Sequence, residues 1–329
     1  MSELGRAGLI GLVSLSACVA IGGPFIRRLA RAQGSVPARY EDCPPLLAYQ
    51  TMKQGTPTMG GLLVLAIGIL VAAAAGGLAR WEGWLVCAAV IALGAIGWCD
   101  DALKFRGANA IGLRTRPKLF MALAVGAAIG LLSAWWAPEL RVVEIPWGSR
   151  LELGWAWVPF AMVVLAGCAH AVNLTDGMDG LAAGCVAIAL AVLGLWAAAG
   201  STQHQVFVPW CASFAGACVG FLWFNGFPAS IFMGDVGALG LGAALGTISL
   251  LMGCAAWLVI IGGVFVLEAV SVMLQVASYQ WRGKRRVFRV APIHHHFHLG
   301  GMNEPKVIVR LWIVGLGLAL LGLTRRTAP

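Results

Sequence analysis

AWVPFAMVVLAGCAHAVNLTDGMDGLAAGCVAIALAVLGLWAAA, residues 156–199, consists of two apolar runs free of acid, lysine and arginine, joined by one short polar turn. The runs 156–171 and 181–199 approach the ~20 apolar residues a helix needs to cross a hydrocarbon core. Lipid offers no partner to a bare peptide group, so segments of this kind must satisfy their backbones internally as helices. Between them, Asn173 to Gly180 packs two carboxylates, an amide and two glycines into a single turn. Working outward, stretches of the same character recur at 8–26, 59–79, 83–99, 119–137, 206–224, 236–252, 255–278 and 307–323. The expected fold is an all-α polytopic membrane protein of ten transmembrane helices, built as one domain over residues 1–329.

Composition agrees. Of 329 residues, 60% are hydrophobic and 11% charged, with a mean hydropathy of +0.84, more apolar surface than one soluble core could bury. The net charge of +9 is gathered into a few connecting loops, which is a topology signal and argues against nucleic-acid binding. Arg27, Arg28, Arg31, Arg39, Lys53, Lys104, Arg106, Arg114, Arg116, Lys118, Arg282, Lys284, Arg285, Arg286 and Arg289 fall on one side, 15 in all; the other side has 6: Arg6, Arg80, Arg141, Arg150, Arg325 and Arg326. Cytoplasmic loops keep the basic excess, which directs both termini outward. The run 8–26 lacks a strongly basic start and leads straight into further spans, so it reads as a retained helix rather than a signal peptide. Nine cysteines, Cys43 among them, form no CxxC pair and lie mostly inside apolar runs, against a disulfide or zinc framework. Val142, Val143, Ile145 and Trp147, a Gly148-Ser149 turn, then Leu151 and Leu153 in alternation predict a small outer β-hairpin of structural role.

The chemistry is expected on the basic side. Five of six aspartates, Asp100, Asp101, Asp176, Asp179 and Asp235, lie in or beside loops on that face. A single acid at a helix end is usually just solvated; five on one face suit a magnesium ion holding a diphosphate, since Mg²⁺ takes one or two carboxylates plus substrate oxygens. KQGTPTMGG, from Lys53 through Thr58 to Gly61, offers a mobile cation and close backbone approach, though Gly-Gly entering a span is often only packing. Asp100-Asp101-Ala102-Leu103-Lys104 sets adjacent acids one turn from a lysine, a repulsion that a metal or the lysine offsets. Asn173, Asp176 and Asp179 crowd one turn that could equally be an ordinary capped loop. Asn225 to Asp235 carries the aromatic Phe232 and one acid at the start of a span. In Ala291-Pro292-Ile293-His294-His295-His296-Phe297-His298 three consecutive histidines cannot all face one metal from a helix, which favours phosphate or nucleotide contact over a zinc cage.

Taken in this order, KQGTPTMGG, DDALK, NLTDGMDGLA, FPASIFMGD and RVFRVAPIHHHF resemble the phospho-N-acetylmuramoyl-pentapeptide transferase family over nearly the whole chain. DDALK alone would mark only the wider superfamily of polyprenyl-phosphate sugar-phosphate transferases, while APIHHHF separates this family from the related N-acetylglucosamine phosphate transferases, the second reading. The resemblance implies that UDP-N-acetylmuramoyl-pentapeptide and undecaprenyl phosphate react with Mg²⁺ at the cytoplasmic face of a bacterial inner membrane. The products would be lipid I, for peptidoglycan synthesis, and UMP. It implies catalytic positions at Asp100, Asp101, Asp235 and His294, with Asp235 the Mg²⁺ ligand, Asp100 and Asp101 near the lipid phosphate and Asp100 a general base. It places Lys53, Thr58, Lys104, Lys118, Asn173, Asp176, Asp179, Asn225, Phe232, His295 and His296 around the substrates, with Phe232 where the family stacks an aromatic ring on uracil. Ala102 stands for a common aromatic, His298 for a frequent glutamate, and 41–50 matches poorly. The glycine-rich helix faces leave room for a homodimer without marking one pair for it.

An ion-coupled transporter is the alternative of a different class, because Glu268 lies within a span and intramembrane acids often mark ion pathways. Transporters gather polar groups near the midplane, whereas here they gather at one interface. A polar file running from Glu268 to both faces would favour transport; a closed outer half would remove it.

Overall fold

The computed structural model describes residues 2–33, 53, 55–106 and 112–324, with no side-chain description at 105 and 106. The expectations resting on Arg39, Cys43, 41–50, the Arg106 side chain, Arg325 and Arg326 lie outside the described residues. In chain order the main helices are α1 (Glu3–Gln33), α2 (Gly61–Ala74), α3 (Trp81–Arg106), α4 (Thr115–Trp136), α5 (Trp157–Thr175), α6 (Leu181–Ala199), α7 (Val208–Asn225) and α8 (Gly234–Leu251). They are followed by α9 (Gly263–Trp281), the short α10 (Ile293–His298) and α11 (Glu304–Gly322). Among the described residues nine helices are long and apolar enough to cross a bilayer, making this a multi-pass, all-α membrane protein.

Two expected spans need correction. The second, read as 59–79, is helical only over Gly61–Ala74, 14 residues or about 21 Å, because the glycine pair at 76 and 77 ends it in turns and Gly76 takes φ +87°. The ninth, read as one run over 255–278, is broken: a 3₁₀ turn Ala255–Trp257 and a short helix Leu258–Ile261 precede a bend at Gly262, and α9 starts afresh at Gly263. Apolar composition persists across both interruptions, which is why hydropathy alone overlooked them.

At the centre stands α8, in which every residue from Asp235 to Leu251 is buried; it packs against α2, α3, α5 and α6. Small residues make this possible, since without a hydrophobic drive between helices in lipid, close backbone approach supplies the packing. Lipid-type surface shows instead on α1, where Leu9, Leu12, Val13 and Ile21 are exposed. Burying α8 all round carries its first-turn acid, Asp235, into the middle of the bundle's polar end.

The hairpin forms as expected. Strands β1 (Val142–Glu144) and β2 (Arg150–Glu152) pair antiparallel with Val143 opposite Leu151. Val143 is buried, and the Glu144 N–H donates to Gly253 O at 2.9 Å, seating the hairpin on the turn after α8.

Candidate active site

The end of α3, the start of α4, the end of α5 and the start of α8 converge. Asp100 and Asp101 come from α3, Lys118 from α4, Asn173 from α5 and Asp235 from α8. One carboxylate oxygen from each of Asp100, Asp101 and Asp235 lies within 4.8 Å of the others, and all three residues are buried. Two lysines bind this acidic centre. Lys104 Nζ lies 3.2 Å from Asp101 Oδ1 and 2.9 Å from Asp235 Oδ2, and also pairs with Asp100. Lys118 Nζ reaches Asp100 Oδ2 at 3.1 Å and closes on Asp235 Oδ2.

Backbone donors fix the acids further. The Leu113 N–H donates to Asp100 Oδ1 at 2.6 Å, and the Val236 N–H, one of the amides left unbonded at the start of α8, donates to Asp101 Oδ2 at 3.1 Å. Asn173 Nδ2 donates to Asp235 Oδ1 at 2.9 Å. Gly234, with φ +75°, makes the turn possible, for a Cβ there would lie 2.7 Å from Asp101 Oδ2 and 2.9 Å from Thr58 Oγ1. Thr58 is thereby placed beside the acidic centre, and Gln33 at the end of α1 holds its backbone by two hydrogen bonds. Strand-like pairing of Phe232 N–H with Pro57 O and of Gly60 N–H with Phe232 O, both 2.8 Å, joins this loop to the one carrying Phe232.

A second polar cluster adjoins the first. Lys53 Nζ bridges Asp179 Oδ1 and Glu304 Oε1, each at 2.6 Å. Glu304 Oε1 also accepts the Asp179 N–H at 3.0 Å, and Asp179 Oδ2 accepts the Ala229 N–H at 3.0 Å. Burial pushes the Asp179 carboxyl above its usual range, with Lys53 opposing the shift. Asn225 is buried and donates from Nδ2 to Ile231 O at 2.8 Å, closing its own loop, while its Oδ1 has no protein partner among the described residues. Asp176 stands half-buried in the same turn as Asp179.

The histidines divide. His294 and His295 are buried with ring centroids 4.1 Å apart, behind the turn that carries Gly177. Burial, then the neighbouring His294, His298 and Lys53, push His295 down to about 2, so it is neutral. His296, one helical step on, faces the basic loop instead: its Nδ1 accepts the Arg289 N–H at 3.1 Å and its ring meets Phe288 edge-on. The structure does not bring His296 to the two clusters.

Sequence reasoning missed Glu304 and the local role of Glu268. Glu304 looked like an ordinary first-turn acid of the last helix; its partner Lys53 lies 251 residues away. Glu268 is turned to His294, at 3.0 Å from Nδ1, while the chain before it runs back through Phe265 and Val264 of α9 and, across the Gly262 bend, Ile261, all buried and apolar.

A buried carboxylate triad laced by two lysines at one end of a membrane-spanning helical bundle has the charge pattern that a phosphate-handling membrane enzyme needs. Residues 83–253 match glycosyl transferase family 4, and residues 53–65 match the phospho-N-acetylmuramoyl-pentapeptide-transferase signature 1. A phospho-N-acetylmuramoyl-pentapeptide-transferase of Citrifermentans bemidjiense is 43% identical over 287 residues, 83% of this chain and 80% of that protein. The chain belongs to the phospho-N-acetylmuramoyl-pentapeptide-transferase family.

Proposed function

We propose that this protein moves phospho-N-acetylmuramoyl-pentapeptide from its UDP donor to undecaprenyl phosphate, yielding lipid I and UMP, the first membrane step of peptidoglycan synthesis. The observation that carries the reading is the buried Asp100, Asp101 and Asp235 group, laced by Lys104 and Lys118 at one end of the bundle, in a chain of this family. An oxygen of the lipid phosphate attacks the sugar-linked phosphorus; the bridging P–O bond of the diphosphate breaks, and its electron pair leaves with UMP. Both reactants are anions, so the main task is neutralising charge as they meet.

Three carboxylates against two ammonium groups leave an acidic remainder of hard oxygen donors, which fits Mg²⁺. Asp235, with Asp100 and Asp101 beside it, would hold the ion, which when bound neutralises and orients the diphosphate. Lys104 and Lys118 then turn toward phosphate oxygens, and Lys53 meets the donor from the second cluster. Asp100 has a modest task as base, because a phosphate monoester with a second pKa of about 6 is already largely ionised at neutral pH. Phe232 supplies a ring for uracil, and Asn173, Asp176, Asp179, Asn225 and the buried histidines line the nucleotide side. The active face is cytoplasmic, in a bacterial inner membrane.

The test is UMP release by detergent-purified protein with undecaprenyl phosphate and Mg²⁺, comparing the muramoyl-pentapeptide donor with UDP-N-acetylglucosamine. Release from the former, lost on chelation and lowered about 100- to 1,000-fold by Asp235→Ala, is the expected result. Release from the N-acetylglucosamine donor alone reassigns the substrate. No lipid-dependent release from either donor by folded protein overturns the transferase reading.

A further inference from the structure

Glu268 lies in the second turn of α9, just past the break at Gly262, and its side chain is wholly buried. Oε2 accepts two N–H groups of one residue: the ring Nδ1 of His294 at 3.0 Å and the backbone N–H of His294 at 3.3 Å. With the His294 backbone N–H already donating to Oε2, the ring completes the same acceptor by donating from Nδ1, while Glu268 Oε1 is buried without a protein partner among the described residues. One oxygen thus fixes both the start of α10 and the tautomer and rotation of an imidazole; carboxylates that hold metal-bound histidines act similarly. Burying an acid in a helix that crosses lipid is costly, and a merely space-filling residue at this position would be apolar.

The other side of the ring points to what this arrangement serves. His294 Nε2 is buried and has no protein partner among the described residues. It stands over Gly177: a Cβ there would lie 2.3 Å from Nε2. Gly177 belongs to the turn that holds Asn173, Asp176 and Asp179, the first of which binds Asp235 and the last Lys53. An unsatisfied ring nitrogen in a fully buried imidazole carries a desolvation cost that a ligand would relieve.

We infer that Glu268 is a positioning residue of the transferase: it locks His294 with Nε2 turned to the Asn173–Gly180 turn, leaving that nitrogen to meet the sugar nucleotide. The inference rests on the proposed activity. It also gives the intramembrane acid a role on one face of the protein, with no part in conduction.

The test uses full-length Glu268→Gln, Glu268→Met and His294→Ala proteins and the double variant Glu268→Met/His294→Ala. UMP release gives kcat and KM for each substrate, and thermal unfolding in detergent identifies folded protein. Gln keeps an oxygen that can accept both N–H groups and is expected to stay within about threefold of the parent. Met is expected to lower kcat/KM for the sugar nucleotide about 10- to 100-fold, in the parameter that His294→Ala also moves, with the KM for undecaprenyl phosphate unchanged. On the His294→Ala background, Met should cost less than about threefold. Folded Met protein with parental kinetics, a Met loss of equal size with or without His294, or a folded Gln protein as impaired as His294→Ala each overturns the role. Should the Met protein not fold, Glu268→Asp, which draws the carboxylate back by one methylene, replaces it with the same expectations. A parent protein that releases no UMP overturns the activity and this inference together, whereas an active parent with an indifferent Glu268 overturns the inference alone.

Discussion

At the residue scale the two clusters differ in how their charges are balanced. In the acidic centre two lysines are shared among three aspartates, so loss of one lysine leaves a second in place. At the second cluster, among the described residues, one ammonium, that of Lys53, serves both Asp179 and Glu304, each almost fully buried. Removing one member of a buried ionic network leaves the others uncompensated, typically at about 3–5 kcal/mol. Glu304→Ala is therefore expected to lower thermal stability and to raise the KM of the UDP donor by about tenfold or more, because Lys53 and the Asp179 turn lose the acid that joins them. Steady-state kinetics with the donor varied checks this; an unchanged KM in folded protein would leave Glu304 with a purely structural role. His295 offers a pH test. Its folded value, about 2, lies far below the ordinary 6.5, so the unfolded chain takes up a proton that the folded chain refuses. Its contribution is intact above about pH 6.5 and is lost as pH falls, at roughly 1.4 kcal/mol per unit. Asp179, shifted upward, acts in the opposite sense at lower pH. Thermal unfolding between pH 7 and 5 should fall more steeply for the parent than for His295→Gln; parallel slopes would show that His295 is not held neutral.

At the element scale, helix ends rather than helix bodies set the chemistry. The 31-residue α1 outruns the expected span by a full turn or more at its basic end, and Gln33, its last residue, clamps the Thr58 backbone through both N–H and carbonyl. Two net hydrogen bonds of about 1 kcal/mol each hold the Lys53–Gly61 loop, so Gln33→Ala should weaken donor binding by about 10- to 30-fold while kcat stays near parental. Isothermal titration with the UDP donor is the direct measurement, and an unaltered affinity would detach α1 from the site. The bodies were legible in the sequence: eight of the ten apolar runs appear as helices close to their expected places, since lipid solvation dictates both composition and length. The loop motifs were legible as chemistry, because Asp pairs, a glycine-rich loop and a histidine run have few other reasons to share one face. Pairings were not. Asp100 with Asp235, Lys53 with Glu304 and Glu268 with His294 depend on how helices pack, and uniformly apolar helices such as α8 carry no amphipathic stripe to announce their neighbours. The short α2 and the bend before α9 stayed hidden for a related reason, as glycine is tolerated in both packing and breaking roles.

At the scale of the whole molecule, the one-sided placement of polar groups fixes what orientation the activity requires. On the proposed function donor and acceptor phosphates meet at the acidic centre, and the cations of the loop after α9, Arg282, Lys284, Arg285, Arg286 and Arg289, are all exposed. On the proposed function the donor is a UDP sugar, which does not cross a membrane unaided, so this centre is expected to open to the cytoplasm. The basic-residue asymmetry leads independently to the same side. An even number of crossings, with the short α2 counted as one, then returns the chain to the side it started from. In that topology Ser149, at the tip of the hairpin, is expected on the outer face along with both termini. Alkaline phosphatase fused after residue 324 or inserted at Ser149 is expected to be active, since it folds only after export. Green fluorescent protein at the same sites should be dark, and bright when inserted beside Arg285. If α2 did not cross, the hairpin and the C-terminus would fall on the side opposite the N-terminus, so a phosphatase active at Ser149 together with an N-terminal fluorescent protein that glows would refute the ten-crossing topology. Outward reporters at both termini and at the hairpin, with an inward one at Arg285, are compatible only with a 14-residue helix that completes its crossing with the help of the turns that follow it.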